Sequence, residues 1–381
     1  MALSIRRFCR LNVSLTNNCL KLFKPNFVNV GVRFMYAEQD LGIPSYENLR
    51  FTFRNQFMQI ESTFREKMQE TCDSENGIVY SEDLKAMLHL AKATDQDMDL
   101  LDKMLRKYVA NQRITGFGSY RFGPAFMRMY YHLDQPKYAL KAFMDPEFDD
   151  TYNYRVVYRI LISLLYKHKM FDEIKSTFEH VLNTKGSTFI GSNFIIIYAV
   201  CLIENTRESM QYALKYWHYN TNTIHGPRSR AIMAALALKQ NSPEMALNII
   251  NSGPVEQVIS IRSLKIMTYV QLGRYIQIIP ILKRVLENEN SYYQAIFADA
   301  IYNLENKLDM ENVPEATHIH TLIDEIKRRN LIQTGITLEE FILKPLIMKN
   351  NIQKMRDGNR RFSRQNSQNL NKEIGGLKSY V

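Results

Sequence analysis

The sequence holds a single tryptophan, Trp217, and only four cysteines in 381 residues. No two cysteines form a CxxC pair, and Cys72 and Cys201 lie far apart, so neither a zinc site nor a disulfide framework is expected. No stretch approaches the roughly 18 uncharged apolar residues that cross a bilayer. The best candidate, FIIIYAVCLI at 194–203, is ten residues long and predicts a buried helix, so no membrane span is expected. No GxxxxGK[ST] loop occurs, and glycines 116, 118 and 123 miss the dinucleotide spacing. No serine or cysteine nucleophile stands in a recognisable context. Asp149–Asp150 and Glu339–Glu340 are adjacent pairs of the kind found in loops and at helix starts. A metal-dependent nuclease needs a converging carboxylate cluster instead. In HIH at 318–320 the two imidazoles leave different sides of a helix. The chain therefore reads as non-enzymatic, with no cofactor, no metal and no small-molecule substrate.

Negative charge is also missing at one end. Residues 1–37 carry Arg6, Arg7, Arg10, Lys21, Lys24 and Arg33, and the first acid is Glu38. Residues 344–381 carry nine basic residues against Asp357 and Glu373, which leaves 34 basic and 37 acidic residues between the ends. The formal charge of +10 is thus a property of the termini. The first end is basic, acid-free and rich in Ser, Asn and spaced aliphatics, the composition of a mitochondrial presequence over 1–36. That predicts a matrix protein, with cleavage between Arg33 and Tyr36. Residues 350–381 are rich in Asn, Gln, Arg and Ser and predict a disordered basic tail.

Between these ends, helical periodicity dominates from about 45 to 349. LISLLYKHKMFDEIKSTFEHVL (161–182) reads as an apolar face, a short basic break and a second amphipathic face. The unit recurs. A small or aliphatic anchor near the start of the second helix appears as Leu101, Ala139, Ile174, Ala213, Ala246 and Ile278, at spacings of 38, 35, 39, 33 and 32. A hairpin of this size cannot cover its own faces, so a stack sharing one core is expected: an all-α solenoid over 45–290. Residues 291–349 predict capping helices.

In YRILISLLYKHKMFDEIKSTFEHV (158–181), the order Tyr158, Leu161–Ile162, Lys167, Phe171–Ile174, Phe178 and Val181 resembles the pentatricopeptide repeat. The tetratricopeptide signature of an early Trp and Leu-Gly with a late Pro is absent. YRFGPAFMRMYYHLD (120–134) and SRAIMAALALKQNSPEMALNII (229–250) resemble pentatricopeptide segments too, and the likeness runs from about 78 to 290. It implies a right-handed α-solenoid in the mitochondrial matrix that binds single-stranded mitochondrial RNA and supports transcript maturation. It also implies no catalytic residues. One departure matters: the positions that read bases in such repeats, usually Asn, Ser or Thr, are Ala125, Ile160, Ile196 and Ile232 here. A one-base-per-repeat code cannot be read.

Charge sorting suggests another mode. The five first helices, taken as 119–132, 154–168, 190–203, 227–239 and 257–271, hold ten basic residues and no acid. The candidates for phosphate contact are Arg121, Arg128, Arg155, Arg159, Arg228, Arg230, Arg262 and Lys265, joined by Lys167 and Lys239. By resemblance the first helices line the concave surface, and a local positive track governs phosphate binding more than net charge does. Tyr120, Tyr130, Tyr154, Tyr158 and Tyr198 share these helices and are candidates for base stacking. TGFGSYRF (115–122) shares Gly-Phe-Gly with the RNA-recognition-motif signature, but its flanks are helical, so it predicts a turn before a helix near Tyr120. Two functions remain open. One is an RNA-binding solenoid, which would work beside RNA-processing enzymes or the mitoribosome. The other is a protein-binding adaptor, such as a small-ribosomal-subunit component or assembly factor.

Overall fold

The computed structural model describes residues 36–115, 120–219, 225–253, 258–287, 296–311 and 313–345. The expected presequence up to residue 35, the Gly-Phe-Gly segment at 116–118 and the basic tail lie outside the described residues. Two hairpins open the fold. A short α1 (Glu38–Leu41) leads into α2 (Ile43–Phe57) and α3 (Glu61–Asp73), and α4 (Ser81–Leu90) pairs with α5 (Asp95–Thr115).

Five further hairpins carry the repeat. They are α6 (Phe122–His132) with α7 (Pro136–Met144), then, after α8 (Asp149–Tyr152), α9 (Arg155–Lys167) with α10 (Phe171–Lys185). After α11 (Ser187–Ile190) come α12 (Phe194–Glu204) with α13 (Arg207–Tyr219), and α14 (Pro227–Lys239) with α15 (Pro243–Asn251). The last is α16 (Ile259–Gln271) with α17 (Ile279–Glu287). Then α18 (Ala298–Met310), α19 (Ala316–Arg328) and α20 (Leu338–Ile342) close the body. A two-residue parallel bridge, Ile296–Phe297 with Ile332–Gln333, ties α18 to the segment after α19.

The fold is an all-α solenoid of helical hairpins. First helices pack on first helices: α6 on α9, α12 on α14, α14 on α16 and α16 on α18. Between the second and third hairpins, α10 packs on α12. All six anchor residues, from Leu101 to Ile278, are fully buried. The apolar helix predicted at 194–203 is α12, with every residue from Phe194 to Leu202 buried. Ser187–Glu204 is apolar enough to cross a membrane by length and composition, but Gly191 at φ +53° breaks it into two helices, and most of it is buried.

The short polar breaks share one geometry. Each of the five hairpins turns on a residue in the left-handed region: Asp134, Lys169, Asn205, Asn241 and Gly273. In four of them the next amide reaches back five residues, as Gln135 to Tyr130, Met170 to Leu165, Ser242 to Ala237 and Arg274 to Tyr269. This closes the last helical turn and reverses the chain. The main core runs from Tyr36 to Ile342, and a second cluster joins the outer part of α16 to α17, α18 and α19.

Candidate nucleic-acid interface

None of the five first helices carries an acidic residue in its first turn or a side-chain hydrogen bond at its N-cap. The N-cap positions are Arg121, Tyr154, Asn193, Gly226 and Val258; Asn193 is of a capping type but makes no cap hydrogen bond, and Arg121, Tyr154 and Val258 have no short polar side chain to offer a free amide. The starts of α6 and α9, which no side chain caps, therefore keep the partial positive charge of their N–H groups, whereas α12 continues from a helical turn whose Ser192 carbonyl accepts from the Phe194 amide.

At the starts of α6 and α9 this charge meets exposed cations and aromatic faces. Arg121 and Arg155 are exposed and make no ion pair among the described residues. The Arg121 guanidinium lies 5.3 Å from the Tyr154 ring centre, and Lys85 Nζ lies 4.4 Å from that of Tyr120. Tyr120, Arg121 and Tyr154 line an open cleft of about 230 Å³ together with Tyr108, Phe122 and Asp150. Asp150 is the one carboxylate in its wall. Gly123 makes the close approach possible, because a Cβ there would stand 2.1 Å from the Thr151 carbonyl oxygen.

The other candidates serve the fold. Arg128 donates from Nε to the Leu41 carbonyl at 2.9 Å, and its burial lowers its pKa. Arg159 stacks over Tyr36 at 5.2 Å. Arg228 donates from Nε to the Ile342 carbonyl at 2.8 Å, and burial pushes its pKa down to about 10. Arg230 is 1% exposed, donates to the Ile250 carbonyl at 3.0 Å and lies against Gly253. Arg262 is buried, with its pKa lowered by burial and by Arg284. Lys265 is half-buried, 5.9 Å from the Tyr269 ring centre. Lys167 pairs with Asp134 and Lys239 with Glu339. With the observed bounds one acid, Glu204, enters a first helix, where it pairs with Lys175 of α10.

Two chain segments account for the engagement of Arg128, Arg159, Arg228 and Lys239. Tyr36, α1 and α2 lie against α6 and α9, and α20 lies against α14 and α16. Tyr36 is fully buried, and its hydroxyl donates to Asn193 Oδ1 at 2.6 Å. Of the five candidate stacking tyrosines, Tyr130, Tyr158 and Tyr198 are buried in the core, which leaves Tyr120 and Tyr154 accessible. Ala125, Ile160, Ile196 and Ile232 are all buried, so the code positions face the core. Among the described residues, no three His, Cys, Asp or Glu side chains come together as a metal site. Tyr36 was hidden by its place at the end of the presumed presequence. Lys85 was hidden because it lies outside the five hairpins.

The likeness suggested by the repeat residues extends over about half of the chain. The chain resembles pentatricopeptide repeat-containing protein 2, mitochondrial. It is 28% identical to the Danio rerio protein of that name over 175 residues, 45% of each chain. The Mus musculus protein is 24% identical over 222 residues, 58% of each chain. The Homo sapiens protein is 24% identical over 224 residues, 58% of this chain and 57% of its own. The matches thus span about half the length of these relatives. No protein-family model matches the chain, and no solved structure matches it.

Proposed function

We propose that this protein is a non-catalytic mitochondrial RNA-binding solenoid that acts in the matrix, after import on its basic N-terminal segment, to hold single-stranded transcripts for maturation by separate enzymes. The observation that carries this reading is the group at the starts of α6 and α9. Two exposed arginines, two accessible tyrosines and two uncapped helix starts lie together there. Phosphate needs cations and amides, while an unpaired base needs a flat ring, and about 1–3 kcal/mol per base comes from such stacking. The mitochondrial and repeat-containing names of the relatives agree with the reading.

Protein binding is the second reading. It is favoured by one observation, that the first-helix face already accepts helices from the chain's own ends. Ultraviolet cross-linking in intact mitochondria, with RNA sequencing and mapping of cross-linked peptides, separates the two. The RNA reading expects adducts on the peptides carrying Tyr120 and Tyr154. Recovery of the protein without RNA, bound only to other proteins, contradicts it.

A further inference from the structure

The last helix among the described residues, α20, is short, acidic at its start and seated on two first helices, α14 and α16. Thr337 and Glu340 close a reciprocal capping box, so the helix holds its own start. Leu338 and Ile342 are buried, and the Phe341 ring lies 5.0 Å from that of Phe297. Its polar contacts present anionic and carbonyl oxygens to two cations of α14. Glu339 receives Lys239 Nζ at 2.7 Å, and the Ile342 carbonyl, at the negative end of the helix, receives Arg228 Nε at 2.8 Å.

The fit to Arg228 is incomplete. Its Nη2 is buried with no acceptor among the described residues, and no carboxylate pairs with it. Arg228 is half-buried, and a guanidinium with one buried donor unmatched is incompletely compensated, which narrows the gap between the closed and open positions of α20. The segment leading into α20 turns on Asn330 at φ +54° and on Gly335 at φ +86°. A Cβ at Gly335 would meet nothing within 4 Å, so the turn itself is solvent-facing, and beyond its side chains α20 is held by the Leu338 amide, which donates to Asp299 Oδ2 at 2.6 Å.

We propose that α20 is a displaceable latch: it holds Glu339 and the Ile342 carbonyl where RNA phosphates otherwise sit on α14 and α16, and bound RNA moves it aside. The inference rests on the RNA reading and adds its regulation. In the closed chain only the α6–α9 starts receive RNA; with the latch open the contact extends to Arg228 and Lys239.

The test compares full-length wild type with two double variants. The latch variant is Glu339→Gln/Glu340→Gln, which retains the capping box because an amide at its third helical position accepts the same hydrogen bond as the carboxylate. The charge-matched control is Asp172→Asn/Glu173→Gln on α10. Each is titrated with a 20-nucleotide single-stranded RNA by fluorescence anisotropy, and amide hydrogen exchange is followed over 338–343. The latch variant is expected to bind about three- to tenfold more tightly than wild type, with the α10 variant changing less. RNA is expected to speed exchange in α20 of the wild type. Equal gains in both variants, or RNA binding without faster exchange in α20, overturns the latch and leaves the RNA reading intact. Absence of binding by all three proteins at low salt overturns both.

Discussion

Arg228, near the start of α14, donates from Nε to the carbonyl of Ile342, 114 residues later in the chain and the last residue of α20. Arg128 on α6 does the same for Leu41, the last residue of α1, 87 residues earlier. In both cases a first-helix arginine satisfies the carbonyl end of a short helix that is the first or last among the described residues. The first and last described helices are thus fastened to the same set of helices by one device, and burial lowers the pKa of both arginines.

Tyr36 sets a limit on how much of the N-terminus can be removed. Its ring fills the core, Arg159 lies over it, and its hydroxyl satisfies Asn193 Oδ1. Tyr36→Phe leaves that buried oxygen unpaired and is expected to cost about 1–3 kcal/mol, whereas Tyr36→Ala is expected to cost about 3–5 kcal/mol. Urea unfolding measures both. Processing of the imported chain is accordingly expected at or before the Met35–Tyr36 bond, which N-terminal sequencing of the protein from mitochondria checks.

Gly123 tests the contact beneath the candidate interface. Replacing a helical glycine by alanine ordinarily stabilises by about 1 kcal/mol. Here the new Cβ would meet the Thr151 carbonyl at 2.1 Å, so Gly123→Ala must push α6 away from α8. The expected outcome is a lower midpoint of thermal unfolding together with weaker RNA binding, because Arg121 and Tyr154 separate. An alanine variant as stable as wild type would show that the two helices have slack.

One buried histidine, His89, and one half-buried histidine, His225, give the stability curve its acid slope. His89 stacks on Phe53 at 4.8 Å and Tyr46 at 5.1 Å, and His225 stacks on Trp217 at 3.6 Å. Burial is the main cause that lowers both pKa values from the ordinary 6.5, with smaller contributions from Arg50 for His89 and Arg230 for His225. A group depressed in the folded state contributes fully above its unfolded pKa and loses that contribution as the pH falls through the folded value. Thermal midpoints are therefore expected to fall as the pH drops below about 6.5, before carboxylates protonate. The double variant His89→Gln/His225→Gln is expected to flatten that slope; an unchanged slope would assign it to other groups.

Much of the fold was legible because the anchor positions obey a simple constraint. Ala139, Ala213 and Ala246, like the aliphatic Leu101, Ile174 and Ile278, are fully buried near the start of a second helix, and that requirement for a small or aliphatic residue leaves a trace in the sequence. The turns left less, since Lys169 holds the left-handed position that Gly273 holds elsewhere, and nothing in a lysine announces it. The candidate site was half legible. Sorting charges by helix led to Arg121 and Arg155, but it gave Arg230 and Arg262 equal weight. Sequence spacing does not say whether an arginine near a helix start points to solvent or to a carbonyl 20 residues on, as Arg230 does.

The salt dependence of RNA binding tests the central claim most directly. Each phosphate contact adds to the slope of log affinity against log salt, by about 0.7 per contact for a single strand. Arg121→Gln/Arg155→Gln, two exposed residues whose loss leaves the core intact, is expected to bind single-stranded RNA more weakly and to reduce the slope by about 1.4. An affinity and slope equal to those of wild type would contradict the account.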